Sequence, residues 1–570
     1  MRQWLTQSIC LAALLGAFPL DALCQEEDPL RPDWQRYHST AAAHALLRGW
    51  AETFPDLASV YSIGETLTGT PLLVLEITNQ RSGAAADKPG YYYDGNIHAE
   101  ELAGAEVALH FAWYLLSNYG EDDRVTRLLD THTLYVRPKF NPDGADTALT
   151  TIHNPRSTPR PYDEDGDGLL DEDPANDLDG DGHATGMRVP NVNGQWKKSP
   201  EDSRIMLRRG DGEDGGEFYD LLSEGVDDDG DGRFNEDGVG GIDMNRNFPR
   251  NWGLEFEQRG AGPYPLSEPE TRATIEFLHE HRNITGIVHG HTSGGFLYRL
   301  PSTTSWDDYS LDDQNLILEL AREYETTTGQ PARPSYSNPR IHRYGTLISW
   351  GYWDYGVVGF VPEYWGGFGQ DYDGDGSITE AERLTWNEAE MDGAGFADWT
   401  PYRHPQLGPI EVGGWRARFT RRNPPPRLLE SEIEKYVSWM LWLAEISPRL
   451  ALRNVTVALV GTGVVKLTMV VENEGYLPTN LTQRALDAEV AVPVRIFLEL
   501  GDAELVSGRE RTELGHLAGM RDAQGSSARA ATRRELEYVL HVRGESPYAA
   551  VTIWSEKGGV IRERISLLVR

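Results

Sequence analysis

Tyr91-Tyr92-Tyr93-Asp94-Gly95-Asn96-Ile97-His98-Ala99-Glu100-Glu101 is the stretch on which the reading of this chain turns. Its first seven residues are strand-like, and the next four set an imidazole and a carboxylate three residues apart. An N donor and an O donor so placed make half of a zinc site, and a catalytic zinc takes three protein ligands with a fourth position open to water. A second histidine must come from elsewhere in the chain. His291 is the candidate: it follows the apolar run Ile284 to Val288 and opens His291-Thr292-Ser293-Gly294-Gly295, small residues that let a substrate approach the backbone. His289 competes for the role, and the small residues after His291 decide between them. Alone, His-x-x-Glu is more often a solvated pair one helical turn apart; the surrounding pattern points the other way.

That pattern is a set of motifs in a fixed order: His98 to Glu101, Asn141-Pro142-Asp143-Gly144, Asp243-Met244-Asn245-Arg246-Asn247, His291-Thr292-Ser293 and Phe360-Val361-Pro362-Glu363. Before them run Tyr37-His38, Phe54-Pro55-Asp56-Leu57, Ser62-Ile63-Gly64-Glu65-Thr66 and Gly69-Thr70-Pro71-Leu72. Together they resemble the zinc carboxypeptidase family typified by the pancreatic carboxypeptidases, from about Tyr37 to about Pro448. The resemblance implies an α/β/α sandwich with a mixed central sheet, one catalytic Zn²⁺ held by His98, Glu101 and His291, and Glu363 as general base. It also implies a clamp for the substrate's terminal carboxylate at Asn245 and Arg246, and an oxyanion arginine at Arg156, with Arg160 close enough to compete. The family's mobile tyrosine falls on Ile341 in the register set by Trp350 and Glu363, so Tyr344 is taken as its substitute. The same register puts Ile348 at the base of the side-chain pocket, which implies a preference for hydrophobic or aromatic C-terminal residues. Glu100 replaces the arginine common between the two ligands in the pancreatic enzymes.

The residue types support the same chemistry without the name. Zinc lowers the pKa of a bound water from about 15.7 toward 7, and a nearby carboxylate takes the proton. Glu363 lies within Val357-Val358-Gly359-Phe360-Val361-Pro362-Glu363-Tyr364-Trp365, an apolar setting that raises a carboxyl pKa. A planar guanidinium grips a carboxylate through two parallel hydrogen bonds, which lysine cannot.

Acidic repeats are the second strong feature. Asp163-Glu164-Asp165-Gly166-Asp167 to Asp171-Glu172-Asp173 recurs as Asp227-Asp228-Asp229-Gly230-Asp231 to Asn235-Glu236-Asp237, and Asp177-Leu178-Asp179-Gly180-Asp181 is a shorter version. Asp371, Asp373, Asp375, Ser377 and Glu382 occupy the diagnostic positions of a twelve-residue EF-hand loop over 371–382. Like charges in a run normally stay solvated, but glycine at fixed offsets favours structural Ca²⁺ at two or more sites. The calcium-binding insertion, about 150–240, is expected to wall the cleft.

The leader over 1–24 is a short basic start and an apolar core too short to span a bilayer, so a secreted or periplasmic protein is expected. Cleavage there removes both cysteines, Cys10 and Cys24, and leaves a mature chain without disulfides. About a dozen residues between leader and Tyr37 give no room for an inhibitory pro-domain, so the enzyme is expected to be made active. The catalytic domain is assigned to 25–448, ending in a helix over 431–444 with a serine start. Residues 449–570 read as a β-sandwich whose role is contact with cell wall or polysaccharide, or simple covering of its neighbour. Net charge of −36, from 89 Asp plus Glu against 53 Lys plus Arg, argues against nucleic acid, and no other segment is long and apolar enough for a membrane span.

The functional expectation is a zinc metallocarboxypeptidase acting on peptides or proteins with a free C-terminus. The alternatives are a cell-wall peptidase of the same family acting on peptidoglycan stem peptides, and a calcium-dependent adhesion protein on a degenerate peptidase scaffold.

Overall fold

The computed structural model describes residues 31–163, 168–235, 237–335, 343–523 and 530–569. The leader, with Cys10 and Cys24, and Asp165 and Asp167 of the first acidic repeat lie outside the described residues.

An eight-stranded sheet organises the first part of the chain, in the order Ala58–Glu65, Pro71–Ile77, Thr133–Arg137, Gly90–Gly95, Ile284–Thr292, Val358–Tyr364, Phe296–Arg299, Ala332–Pro334. Its central strands Thr133–Arg137, Gly90–Gly95 and Ile284–Thr292 run parallel and are buried at every residue. Burial of successive side chains, which point to opposite faces, requires cover on both faces and explains the continuous apolar runs read in the sequence. Antiparallel pairs on either side of these strands make the sheet mixed, as the resemblance implies. Helix Ala103–Asn118 follows the metal motif and is buried through most of its length, which suits its alanine-rich sequence.

The final helix of this part differs from its expected form. It begins at Pro426, whose missing N–H costs nothing in a first turn, and is interrupted by a 3₁₀ turn, Glu434–Tyr436, before Val437–Glu445. Ser431 is therefore inside a helix and does not cap one.

The insertion builds a second sheet, and it does so with a distant segment. Gly186–Pro190, Tyr219–Ser223, Trp196–Lys198 and Met206–Arg208 are joined by Phe396–His404 and Gly408–Trp415. Glu411 pairs with Arg188 in register, and the Arg188 guanidinium bonds Glu411 at 2.6 Å while lying 4.7 Å over Trp399.

Beyond residue 449 two four-stranded sheets enclose a core of Val465, Leu467, Val471, Ile496, Leu540 and Ile553. Along Val464–Asn473, Val465 and Leu467 are buried while Val464, Lys466 and Thr468 beside them are half-exposed. Leu477 and Leu481 leave this sandwich and join the core of the first part. Asp313 accepts from the backbone of Gln483 and Arg484 at 2.7 and 2.9 Å, and Lys557 Nζ donates to the carbonyls of Arg282 and Ile284. Among the described residues no helix is long and apolar enough to cross a membrane.

Candidate active site

The metal motif forms a turn at the end of strand Gly90–Gly95. Asn96 takes a left-handed conformation (φ 65°), and its side-chain amide donates to the carbonyls of His98, Ala99 and Glu101, fixing the turn from inside. The Asn141 motif supports it from below. Asn141 caps helix Pro142–Thr150 by accepting from Gly144 N at 3.0 Å, and a Cβ at Gly144 would lie 2.7 Å from that of Ala99, so only glycine allows this approach. Asp143 accepts from Thr68 and Thr70, which ties in the early Gly69-Thr70 motif.

His98, Glu101 and His291 converge. His98 Nδ1 lies 2.9 Å from Glu101 Oε1, His291 Nδ1 lies 2.8 Å from Glu101 Oε2, and the two Nδ1 atoms are 2.9 Å apart. Two imidazole nitrogens and a carboxylate aimed at one point, all buried, suit an ion whose N and O ligands stand about 2.0–2.2 Å away. His98 Nε2 faces Asp243 Oδ1 at 3.1 Å, the outer carboxylate that orients a ligating histidine. His291 Nε2 faces Asn245 Nδ2 at 3.3 Å. His289 points elsewhere, 2.5 Å from Asp94, so of the two histidines on this strand it is His291 that joins the cluster. Burial pushes the His291 imidazole down to about 3, keeping it neutral as a ligand must be. The Glu101 carboxyl is buried, yet the two imidazoles beside it hold it well below the usual range.

These residues line a cavity of about 260 Å³ that also takes in Arg156, Asn245, Arg246, Ile348 and Glu363. Glu363 sits on Val358–Tyr364 directly beside His291 in the parallel register. Burial, reinforced by the Glu101 charge, raises its carboxyl to about 8. Arg156 reaches the site from the insertion, where Ala99 N and Glu100 N donate to the Arg156 and Pro155 carbonyls. Its guanidinium bonds Asp243 at 3.1 Å and Glu101 at 3.3 Å. Arg160 bonds Glu268 at 3.2 Å, outside the cavity lining. Asn245 accepts from Leu347 N at 3.2 Å, and Arg246 Nη1 donates to the Asn245 carbonyl at 2.6 Å.

Tyr344 is not brought to the cavity. Gly345 (φ 63°) packs its Cα against the Arg246 carbonyl, where a Cβ would stand 2.1 Å from the oxygen, and this close turn leaves Tyr344 beside Gly253. Arg343 lines the cavity instead, and among the described residues the tyrosine in the lining is Tyr298. Arg422 lines it as well and pairs with Glu100 at 3.0 Å. The arginine missing between the two ligands is thus matched by one arriving from far downstream. Asp243, Arg343 and Arg422 carried no sequence signal of their own beyond the motif around Asp243.

The acidic loops assemble in part. Asp177 and Asp179 meet Glu224, which the repeat pattern did not single out; Asp173 of the first repeat meets Asp227 and Asp229 of the second; and Asp371, Asp373 and Asp375 form a third cluster. An isolated bridge joins Asp173 to Asp237. Other predicted ligands lie outside these clusters and make bonds of their own. Asp163 accepts from Gly168 N, Asp171 from the backbone of Tyr162 and Gly240, and Asp231 from Arg233 N. Asp181 pairs with Arg416 at 2.8 Å, Asn235 donates toward the Glu224 carbonyl, and Ser377 donates to Asp375. Glu382 stands outside the third cluster because it completes a capping box with Thr379 and accepts from Tyr372 N. Only the exit side of this loop is helical, Glu380–Met391, since strand Val358–Tyr364 precedes it.

Comparison with known proteins gives the family. Residues 43–368 match the model of the zinc carboxypeptidase family, and residues 449–566 match a domain of unknown function. Carboxypeptidase D of Drosophila melanogaster is 32% identical over 120 residues, which is 21% of this chain and 8% of that protein. Human carboxypeptidase Z is 36% identical over 113 residues, 20% of this chain and 17% of that protein. The aligned stretch is therefore a minor part of these relatives' length. The structure of carboxypeptidase A from Helicoverpa armigera aligns over 73% of this chain and 74% of that one, with 13% identity and a TM-score of 0.44. Because the matching family model takes in more than half of the 570 residues, this chain belongs to the zinc carboxypeptidase family.

Proposed function

We propose that the protein is a secreted zinc metallocarboxypeptidase that removes residues one at a time from peptides with a free C-terminus. The observation that carries this reading is the shared cavity: a zinc triad, a buried carboxyl with a raised pKa, and Asn245-Arg246. When bound at His98, Glu101 and His291, zinc supplies Lewis acidity that lowers the pKa of water and polarises a carbonyl. Glu363 takes the proton from the attacking water and returns it to the leaving amine. Arg156 donates to the oxygen that gains negative charge, a role its fixed bonds to Asp243 and Glu101 prepare it for. Arg246, whose described hydrogen bond is to a neutral carbonyl, offers the rest of its guanidinium to the terminal carboxylate. Asn245 keeps its amide at the ligand end of the same cavity.

Calcium in the acidic clusters is part of the proposal, as a structural ion that orders the insertion walling the site. Extracellular calcium modules commonly bind at roughly 0.1–1 mM, which suits a secreted protein. The sandwich is proposed to cover the catalytic domain, a role supported by the contacts of Asp313 and Lys557 across the boundary.

Mass spectrometry of peptides with free and amidated C-termini, after incubation with the zinc-loaded protein in millimolar calcium, tests the reading. Stepwise loss of single residues from free-acid peptides alone is the expected result. Equal cleavage of both series would remove the exopeptidase assignment. Arg246→Ala should lower kcat/KM on free-acid peptides by about a hundredfold, the loss of a charge-assisted pair.

A further inference from the structure

The cavity runs inward from Glu363 along one face of the sheet. On Val358–Tyr364 and its antiparallel partner Phe296–Arg299, Glu363 stands opposite Phe296 and Val361 opposite Tyr298. Side chains two residues apart on a strand share a face at about 7 Å spacing, and all four of these line the cavity. Gly359 continues the same face, and a Cβ there would stand 2.8 Å from the Ile348 side chain, so Ile348 forms the floor two steps from the base. Arg343 sits one step in. Its guanidinium carbon is 4.8 Å from the centre of the Tyr298 ring and Nη2 is 3.3 Å from Tyr298 Oη.

Among the described residues four arginines line this cavity, and they are not equivalent. Arg156 is paired with Asp243 and Glu101, and Arg422 with Glu100. Arg343 donates to the Ser335 carbonyl at 3.1 Å and lies near the hydroxyls of Ser335 and Tyr298, all neutral. Arg246 is in the same position, bonded to a neutral carbonyl. Burial lowers the Arg246 pKa; the Asp243 and Glu101 carboxylates oppose that shift, and Arg156 and Arg343, as positive neighbours, add to it. Among the described residues both guanidiniums hydrogen-bond only to neutral groups, and their mutual repulsion across one cavity suits two anionic groups on the ligand. The terminal carboxylate supplies one.

We propose that Arg343 is a specificity-determining residue that receives the side-chain carboxylate of the C-terminal residue, so that the enzyme favours substrates ending in glutamate or aspartate. The inference rests on the substrate-binding half of the carboxypeptidase reading. It replaces the hydrophobic or aromatic preference drawn from Ile348, because an uncharged side chain lodged here would strip water from the Arg343 guanidinium without offering it a counter-charge. Ile348 then contacts the methylenes of a glutamate.

Titration calorimetry separates this from the reaction itself. In zinc-loaded protein carrying Glu363→Gln, an N-acetylated dipeptide ending in Glu should bind at least about tenfold more tightly than its Gln isostere, the loss expected for one charge-assisted hydrogen bond. Arg343→Met on that background should bring the ratio close to one, and Arg343→Glu should turn the preference toward a C-terminal lysine. Each ratio is taken within one protein, so a general loss of affinity cancels. Equal binding of the Glu and Gln peptides, tighter binding of a Phe peptide through stacking on the guanidinium, no binding of any peptide, or a Glu preference that survives Arg343→Met would each overturn the proposal. Hydrolysis is read separately on the unsubstituted protein: Glu-selective binding with no residue released sinks the peptidase reading and leaves Arg343 as assigned.

Discussion

His98, Glu101 and His291 are each about 2% exposed, on a turn and a strand of the central sheet, whereas Asp373 and Asp375 of the third acidic cluster are exposed on a loop. Both sets offer hard or borderline ligands at bonding distance of one another, yet their geometry has different origins. The triad is held by bonds that do not involve an ion: Asn96 to three carbonyls, Asp243 to His98, and Glu101 accepting from Thr292 N. The acidic loops are held by Asx-type bonds within themselves, such as Asp371 to Gly374 and Gly376. Their carboxylates repel one another. A buried, cross-braced site is preorganised for an ion that performs chemistry; in the exposed loop the proposed ion would instead supply order.

The largest effect should fall on the buried side. Glu363→Gln should lower kcat by about 10²–10⁴-fold while zinc content, measured by atomic absorption, stays at one per chain; unchanged turnover would reject Glu363 as the base. Next, Asp243→Asn should weaken zinc binding by about 10–100-fold, the usual cost of losing an outer partner of a ligating histidine. Competition with a chromophoric chelator measures it, and unaltered affinity would show that the triad needs no outer support. On the exposed side the effects are smaller. Calcium at ten times its Kd should stabilise the insertion by about 1.4 kcal/mol per site, seen as a rise of a few degrees in melting temperature that His291→Ala leaves intact. No calcium dependence would reduce the acidic loops to solvated decoration.

The smallest effect divides the acidic loop itself. Backbone and hydroxyl donors of Thr379, and Tyr372 N, hold the Glu382 carboxyl down to about 2. A folded-state pKa below the unfolded value contributes stability above the unfolded pKa, and that contribution is lost as pH falls from about 4.5 toward 2. Glu382→Gln should therefore lower the melting temperature by about one degree at neutral pH, with the difference closing as pH drops through that window. Calcium dependence should survive the substitution; its disappearance would restore Glu382 to the ion.

The triad and Glu363 were legible because each lies at the end of an apolar run, and such runs become buried strands that end at a common sheet edge. The small residues after His291 then selected it over His289. The choice of Arg156 over Arg160 was not legible, since both sit in one loop and only the positions of Asp243 and Glu268 separate them. Glu382 shows two local signals in conflict: position 12 of a calcium loop and the N3 position of a Thr-x-x-Glu cap coincide, and in the fold the cap takes the side chain. The pairing of Gly186–Pro190 with Gly408–Trp415 lay beyond any local pattern.

Residue types, their spacing and the alternation of apolar and polar runs determined the ligand set, the strand–turn–strand frame that presents it, and a separate all-β region after residue 449. These are local properties, decided by backbone geometry and by which side chains leave water. The tertiary structure alone decided which charges meet: Arg422 with Glu100, Asp243 with His98 and Arg156, and Arg343 with the neutral wall beside Tyr298. Electrostatic partnership depends on distance in space, and residues brought together from opposite ends of a long chain leave no trace of that distance in their order along it.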